Sequence, residues 1–166
     1  MTRPRMWSLL MVCGLMMPLS ACAFSPPGRY QPVVIEDQGG VPCFGIGDNH
    51  EARRNAPVIA TVLVSSVASK QAPLWKVTFA PEGENQQPLP AGKCIAYGAD
   101  GSAPAPVLER GERYSVVMLG DILEPGKPAQ TRWYSGSFCI VDVQGRPQVK
   151  QVPVQDGAVQ WQQCGQ

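Results

Sequence analysis

Hydrophobic positions along this chain fall in short runs of period two, broken repeatedly by glycine and proline, which is the pattern of half-buried β-strands. Between Leu74 and Phe79, Trp75, Val77 and Phe79 point one way and Lys76 and Thr78 the other. Between Arg113 and Leu119, Tyr114, Val116 and Met118 share a face. From Arg132 to Val143, Tyr134, Phe138 and Ile140 oppose Trp133, Ser135, Ser137 and Cys139. Pro57 to Ala68 is the longest β-branched run and predicts an interior strand. Pro32–Glu36, Val41–Ile46 and Gly92–Tyr97 predict three more, with Asp37-Gln38-Gly39-Gly40 ending the first. A closing hairpin is expected from Gln148–Val154 and Ala158–Gln163, turning at Gln155-Asp156-Gly157. No long window carries a helical period, and Gly47 to Asn55 reads as a solvated polar loop. Seven to nine short strands predict an all-β fold. An antiparallel β-sandwich of immunoglobulin or fibronectin type is expected, with a small β-barrel as the alternative.

The N-terminus breaks this pattern. Arg3 and Arg5 precede an apolar stretch from Trp7 to Leu19, long enough for a signal peptide and short of the roughly 20 residues that span a bilayer. Leu19-Ser20-Ala21-Cys22 then resembles a bacterial lipobox, in which the cysteine becomes the lipidated mature N-terminus. Residues 1–21 are therefore expected to be removed and Cys22 to carry the membrane anchor. Several acyl chains would hold firmly, at ~0.8 kcal/mol per buried methylene. Ala23 after the cysteine, by resemblance to sorting signals in enteric bacteria, favours the periplasmic face of the outer membrane. Residues 22–32, rich in proline, read as an extended tether, leaving residues 33–166 as one domain.

Composition sharpens this. The chain holds 17 Gly and 17 Pro, a fifth of its 166 residues, which leaves little room for long helices and argues against bundles and large α/β enzymes. Lys and Arg number 14 against 13 Asp and Glu. Losing Arg3 and Arg5 takes the mature chain to about −1, with no field suited to nucleic acid. Of the 6 cysteines, Cys13 leaves with the signal and Cys22 is lipidated. Cys43, Cys94, Cys139 and Cys164 remain, an even set that reads as two disulfides in an oxidising compartment. Three connectivities are open. Cys43 with Cys94 and Cys139 with Cys164 staples neighbouring parts of the chain. Free thiols or a metal site are the alternatives, and no pair has the short knuckle spacing usual for zinc.

Catalytic chemistry finds little support in the residues. His50 is the one histidine; it sits in the polar stretch with Asp48 and Glu51 and reads as solvated. Tyr134-Ser135-Gly136-Ser137-Phe138 lacks the order of a nucleophile elbow, and its small residues read as close strand packing. Glu36-Asp37, Glu82 with Glu84, and Glu109 with Glu112 read as solvated turns. No phosphate loop, dinucleotide fingerprint, H-E-x-x-H or calcium loop occurs, so neither a metal nor a cofactor is expected. A binding module is the expected class. Its candidate partner-binding residues are Arg132, Trp133 and Tyr134, types enriched at hot spots. The plainer reading places Trp133 or Tyr134 in the core. His50, Arg53 and Arg54 form a second candidate, with guanidiniums suited to carboxylates.

Three phrases follow one another in order: Pro88-Leu89-Pro90-Ala91-Gly92-Lys93-Cys94-Ile95-Ala96-Tyr97-Gly98, Leu108-Glu109-Arg110-Gly111-Glu112-Arg113-Tyr114-Ser115-Val116, and Tyr134-Ser135-Gly136-Ser137-Phe138-Cys139. With Cys43-Phe44 and Trp75, they resemble small periplasmic lipoproteins assigned as type VI secretion immunity proteins. The resemblance spans most of the mature chain and rests on cysteines, turn glycines and strand aromatics. It implies a non-catalytic, outer-membrane-anchored protein that neutralises a periplasmic effector toxin; no functional residues carry over. A structural or assembly lipoprotein of an envelope complex is the alternative, and a small hydrolase a more distant one.

Overall fold

The computed structural model describes residues 28–69, 72–80, 86–99 and 104–165. The expected signal peptide and Cys22 lie outside the described residues. Strands account for 54% of the described residues and helices for 7%, so the fold is all-β. In order, the elements are β1 (Tyr30–Gln38), β2 (Val41–Ile46), α1 (His50–Arg54), β3 (Val58–Ser66), β4 (Trp75–Thr78), β5 (Gln87–Pro88), β6 (Cys94–Ala96), β7 (Arg113–Ile122), β8 (Gln130–Val143), β9 (Arg146–Val152), β10 (Val154–Gln155), β11 (Ala158–Val159) and a 3₁₀ turn, Trp161–Cys164.

One hydrogen-bonded path runs β4-β3-β7-β8-β1-β2-β6, with β5 on β3 and β9 on β8. The strand that makes it continuous is β1. Its first three residues, Tyr30 to Pro32, lie parallel to Trp133–Ser135 of β8. Pro32 has no N–H to extend that ladder, and from Val33 to Gln38 the strand pairs antiparallel with β2. The edge of β8 that β1 gives up is taken by β9 from Ser137 onward. The sheet therefore curls into a half-barrel, with β2 laid over β4 and β8. Phe44 of β2 stands 5.8 Å from Phe138 and 6.4 Å from Trp75, ring centre to ring centre. The all-β expectation holds, whereas the expected antiparallel sandwich of two sheets is replaced by one curled, mixed sheet, because β1 starts parallel to β8 and carries the hydrogen-bonded path on to β2.

The crossover needs space. Gly136 lies beneath it, and a Cβ there would meet the Ile35 Cδ1 at 3.0 Å and the Val33 Cβ at 3.2 Å. Side chains then close the gap between β1 and β9 as backbone would. The Ile35 N–H donates to Gln151 Oε1, and Gln151 Nε2 donates to the Val33 carbonyl, both at 2.9 Å. Asp37 Oδ1 accepts from the N–H groups of Val149 and Gly40, also at 2.9 Å. At the start of β7 the Tyr114 hydroxyl accepts from the Glu109 N–H at 2.7 Å, a contact of the tyrosine-corner kind.

The inward residues of the period-two runs form the core. Phe44, Phe138, Val62, Val64, Val116 and Met118 have no measurable exposure, and burying each such side chain contributes roughly 1.5–3 kcal/mol. A second cluster lies on the outer face, where Cys139, Val152 and Cys164 pack with Val141, Val159 and Trp161. Arg113 supports it, its guanidinium 5.7 Å from the centre of the Trp161 ring. The disulfides are Cys43–Cys94, linking β2 to β6, and Cys139–Cys164, pinning the C-terminal turn to β8.

Three sequence expectations are corrected. The polar stretch Gly47–Asn55 contains α1, because the Asn49 side chain caps it by accepting from the Ala52 N–H at 2.9 Å and Ala52 is buried. The closing hairpin shrinks to β10–β11, since β9 pairs with β8 instead and the last residues form the 3₁₀ turn. Its turn does fall at Asp156-Gly157, both with positive φ. Finally, β1 begins at Tyr30, inside the stretch read as tether.

Candidate functional site

The residues proposed for partner contact separate once folded. Arg132 and Tyr134 share a face of β8, and that face is the inner one. Tyr134 is 3% exposed and Arg132 5% exposed. Arg132 is committed internally: its Nη2 and Nε donate to Glu51 Oε1 and Oε2 at 2.5 and 3.1 Å, and Nη2 also donates to Gln130 Oε1 at 3.0 Å. The Glu51 carboxylate, by these hydrogen bonds, holds the guanidinium above its ordinary pKa. Burial first, and the charge of Glu51 second, push the Tyr134 phenol up to about 12. The strand period that pairs them turns both side chains inward. Trp133 points outward, half-buried, with its ring 6.3 Å from that of Tyr30.

His50, Arg53 and Arg54 are exposed on α1. Arg53 is paired with Asp48 at 2.6 Å, which holds the Asp48 carboxyl below its usual range. Ser135 and Ser137 flank the crossover glycine. Among the described residues, no group of three His, Cys, Asp or Glu side chains is placed to hold a metal ion. No described helix is long and apolar enough to cross a membrane.

The two ends of the molecule differ. At the end formed by the β1–β2 and β8–β9 turns lies an apolar groove of about 470 Å³, walled by Val41, Pro42, Tyr97, Pro104–Leu108 and Pro147. Its far wall is held by the Tyr97 hydroxyl, which donates to the Pro106 carbonyl at 2.9 Å. Burial, with a smaller contribution from Tyr114, pushes the Tyr97 phenol up to about 12, so this donor keeps its proton at any physiological pH. Val107 stands 92% exposed on the rim, with Val41 also exposed. Sequence reading passed over this groove: Val107 lies between Pro106 and Leu108 in a turn-rich stretch with no period, where only its isolation among prolines marks it.

At the opposite end, the start of β8 meets the start of β1. Trp133 is in register with Tyr30 on one side and Leu119 on the other, and Leu119 with Thr61. The next row inward holds Val117 and Leu63. No protein-family model matches the chain, and neither a curated protein nor a solved structure matches it.

Proposed function

We propose that this protein is a lipid-anchored binder of the bacterial periplasm that captures a protein partner, an effector toxin in the reading the sequence resemblance suggests, without chemistry of its own. The observation that supports it is the groove. It is an open apolar surface, rimmed by the exposed Val107 and held by a neutral phenol. Apolar side chains of a partner would fill it. The frame around it is rigid: a disulfide closes β2 onto β6, and Tyr114 locks the approach to β7. A preformed surface binds without an ordering cost. The arginine that a sequence reading would assign to an interface is instead part of that frame.

The test pairs the purified protein with the effector encoded beside its gene. Tight binding is expected, weakened about tenfold or more by Val107→Asp, since a charge would be placed on an apolar rim. Lipid labelling is expected of the wild type and absent from Cys22→Ser. Failure of the neighbouring product to bind, with capture of a resident envelope complex instead, would overturn the reading in favour of an assembly lipoprotein.

A further inference from the structure

We propose that the Tyr30–Trp133 end of the outer sheet face docks on the phospholipid bilayer, so that the domain stands on the membrane with its groove directed away. The inference rests on the lipid anchor at Cys22 and adds an orientation to it.

The outer face of β3, β7 and β8 is packed under the C-terminal turn at one end and only half-buried at the other. The C-terminal turn, stapled through Cys139–Cys164, packs over the end near Arg113 and Val152. Toward the other end, Trp133, Leu119, Val117 and Leu63 are each only half-buried beside the exposed Tyr30. Tyr30 is 72% exposed, and Leu123, in the turn at this same end, is 45% exposed. Tyrosine and tryptophan favour the headgroup level of a bilayer, where an apolar ring body and a polar tip are both satisfied. Arg29 and Arg54, exposed at this end, are suited to lipid phosphates. Its carboxylates are already engaged: Asp121 accepts from Thr131 at 2.8 Å and Glu124 pairs with Lys127 at 2.5 Å.

The length of the preceding chain selects this occupant. Tyr30 lies eight positions after Cys22, so the patch stands at most about 29 Å from the anchored cysteine even if the chain is fully extended. The 14 residues of β8 span roughly 45 Å at ~3.3 Å each. The tether is thus shorter than the domain, and β1 enters at the Trp133 end. That end is held near the bilayer, where further burial of the exposed Tyr30 ring and the half-buried Trp133 ring is favourable. The groove, seven residues farther along β8 at Ile140, is some 23 Å away along the strand.

The test uses the full lipidated chain in vesicles of phosphatidylethanolamine and phosphatidylglycerol whose acyl chains are brominated near the headgroup. The emission of Trp133, taken as the difference between wild type and Trp133→Phe, is expected to be quenched roughly twofold at headgroup depth. Tyr30→Glu, at an exposed position, should relieve that quenching while the protein still floats with the vesicles. Flotation without quenching of Trp133 overturns the docking and leaves the anchor standing, since another segment of the chain or a protein partner then covers the patch. Failure to float overturns the anchor itself, and the docking with it.

Discussion

Replacing Glu51 by alanine tests whether Arg132 belongs to the frame. The guanidinium is all but sealed, its side chain 7% exposed, while the Glu51 carboxylate is 33% exposed. Removing the carboxylate leaves a buried cation with Gln130 Oε1 at 3.0 Å and the Thr131 carbonyl at 3.4 Å as its remaining acceptors. Breaking a fully buried pair costs about 3–5 kcal/mol. The partial exposure of Glu51 admits water to the site and reduces this to about 2–3 kcal/mol. For a domain of this size that lowers Tm by roughly 8 °C. Glu51→Gln keeps an acceptor but not the charge and should fall between. Arg132→Met with Glu51→Ala removes both partners and fills the space with an apolar side chain. It should cost less than the sum of the two single changes, with a coupling energy of about 1–3 kcal/mol. Urea unfolding under non-reducing conditions, followed by tryptophan emission, measures the wild type, the three single variants and the double variant. If Glu51→Ala costs under about 0.5 kcal/mol, or the two changes simply add, the ion pair is not structural and Arg132 returns as an interface residue.

Four further outcomes are expected. Gly136→Val should destabilise by about 2 kcal/mol or more in the same assay, because the close approach of Val33 and Ile35 leaves no room for a branched side chain. Gln151→Leu should cost about 1–3 kcal/mol by stripping the Ile35 N–H and the Val33 carbonyl of their partner, with faster amide exchange at Ile35 as its signature. Cys139→Ser with Cys164→Ser opens a link across 25 residues and should cost about 3.5 kcal/mol in the loop-entropy account, with exchange rising first in the C-terminal turn. The Tyr134 phenol, raised by burial to about 12 when folded and near 10 unfolded, contributes stability that is intact below pH 10. That stability, roughly 2–3 kcal/mol, is lost as pH climbs from 10 to 12, and Tyr134→Phe should flatten the loss in an alkaline denaturation series.

Which features were legible in the sequence follows from the range of the forces that set them. Period-two runs such as Trp75-Lys76-Val77-Thr78 record burial residue by residue, so β4, β7 and the inner half of β8 could be read directly. The turn at Asp156-Gly157 was likewise local. The disulfide pairing came from proximity along the chain, which here coincides with proximity in space. What escaped depends on contacts between distant residues. Gln151 and Asp37 carry no pattern, yet they replace backbone groups across the β1–β9 gap. Cys139 breaks the expected exposure of its face because the C-terminal turn returns to cover it. Arg132 reads as a surface hot spot until α1, itself hidden in a polar stretch, supplies Glu51. The groove escaped for the same reason, since its walls come from three separated turns.

Pro32 and Gly136 together explain why the molecule has two unlike ends. Proline stops the parallel ladder after three residues, and glycine gives the departing strand a floor on which to cross. Had β1 stayed on β8 for its full length, it would have occupied the edge that β9 uses, and β2 would not be laid over Phe138. The β1–β2 turn would then not meet Pro147, and the groove would lack a wall. The same early departure confines β1 to the first rows of the outer face, where it contributes Tyr30 beside Trp133. The C-terminal segment, unable to reach that end, covers only the rows near Cys139. One strand's change of partner therefore produces both an apolar groove at the far end and a half-buried aromatic patch beside the N-terminal entry. A substitution that abolishes the crossover should lose both surfaces together, whereas Val107→Asp and Tyr30→Glu should each remove one and spare the other.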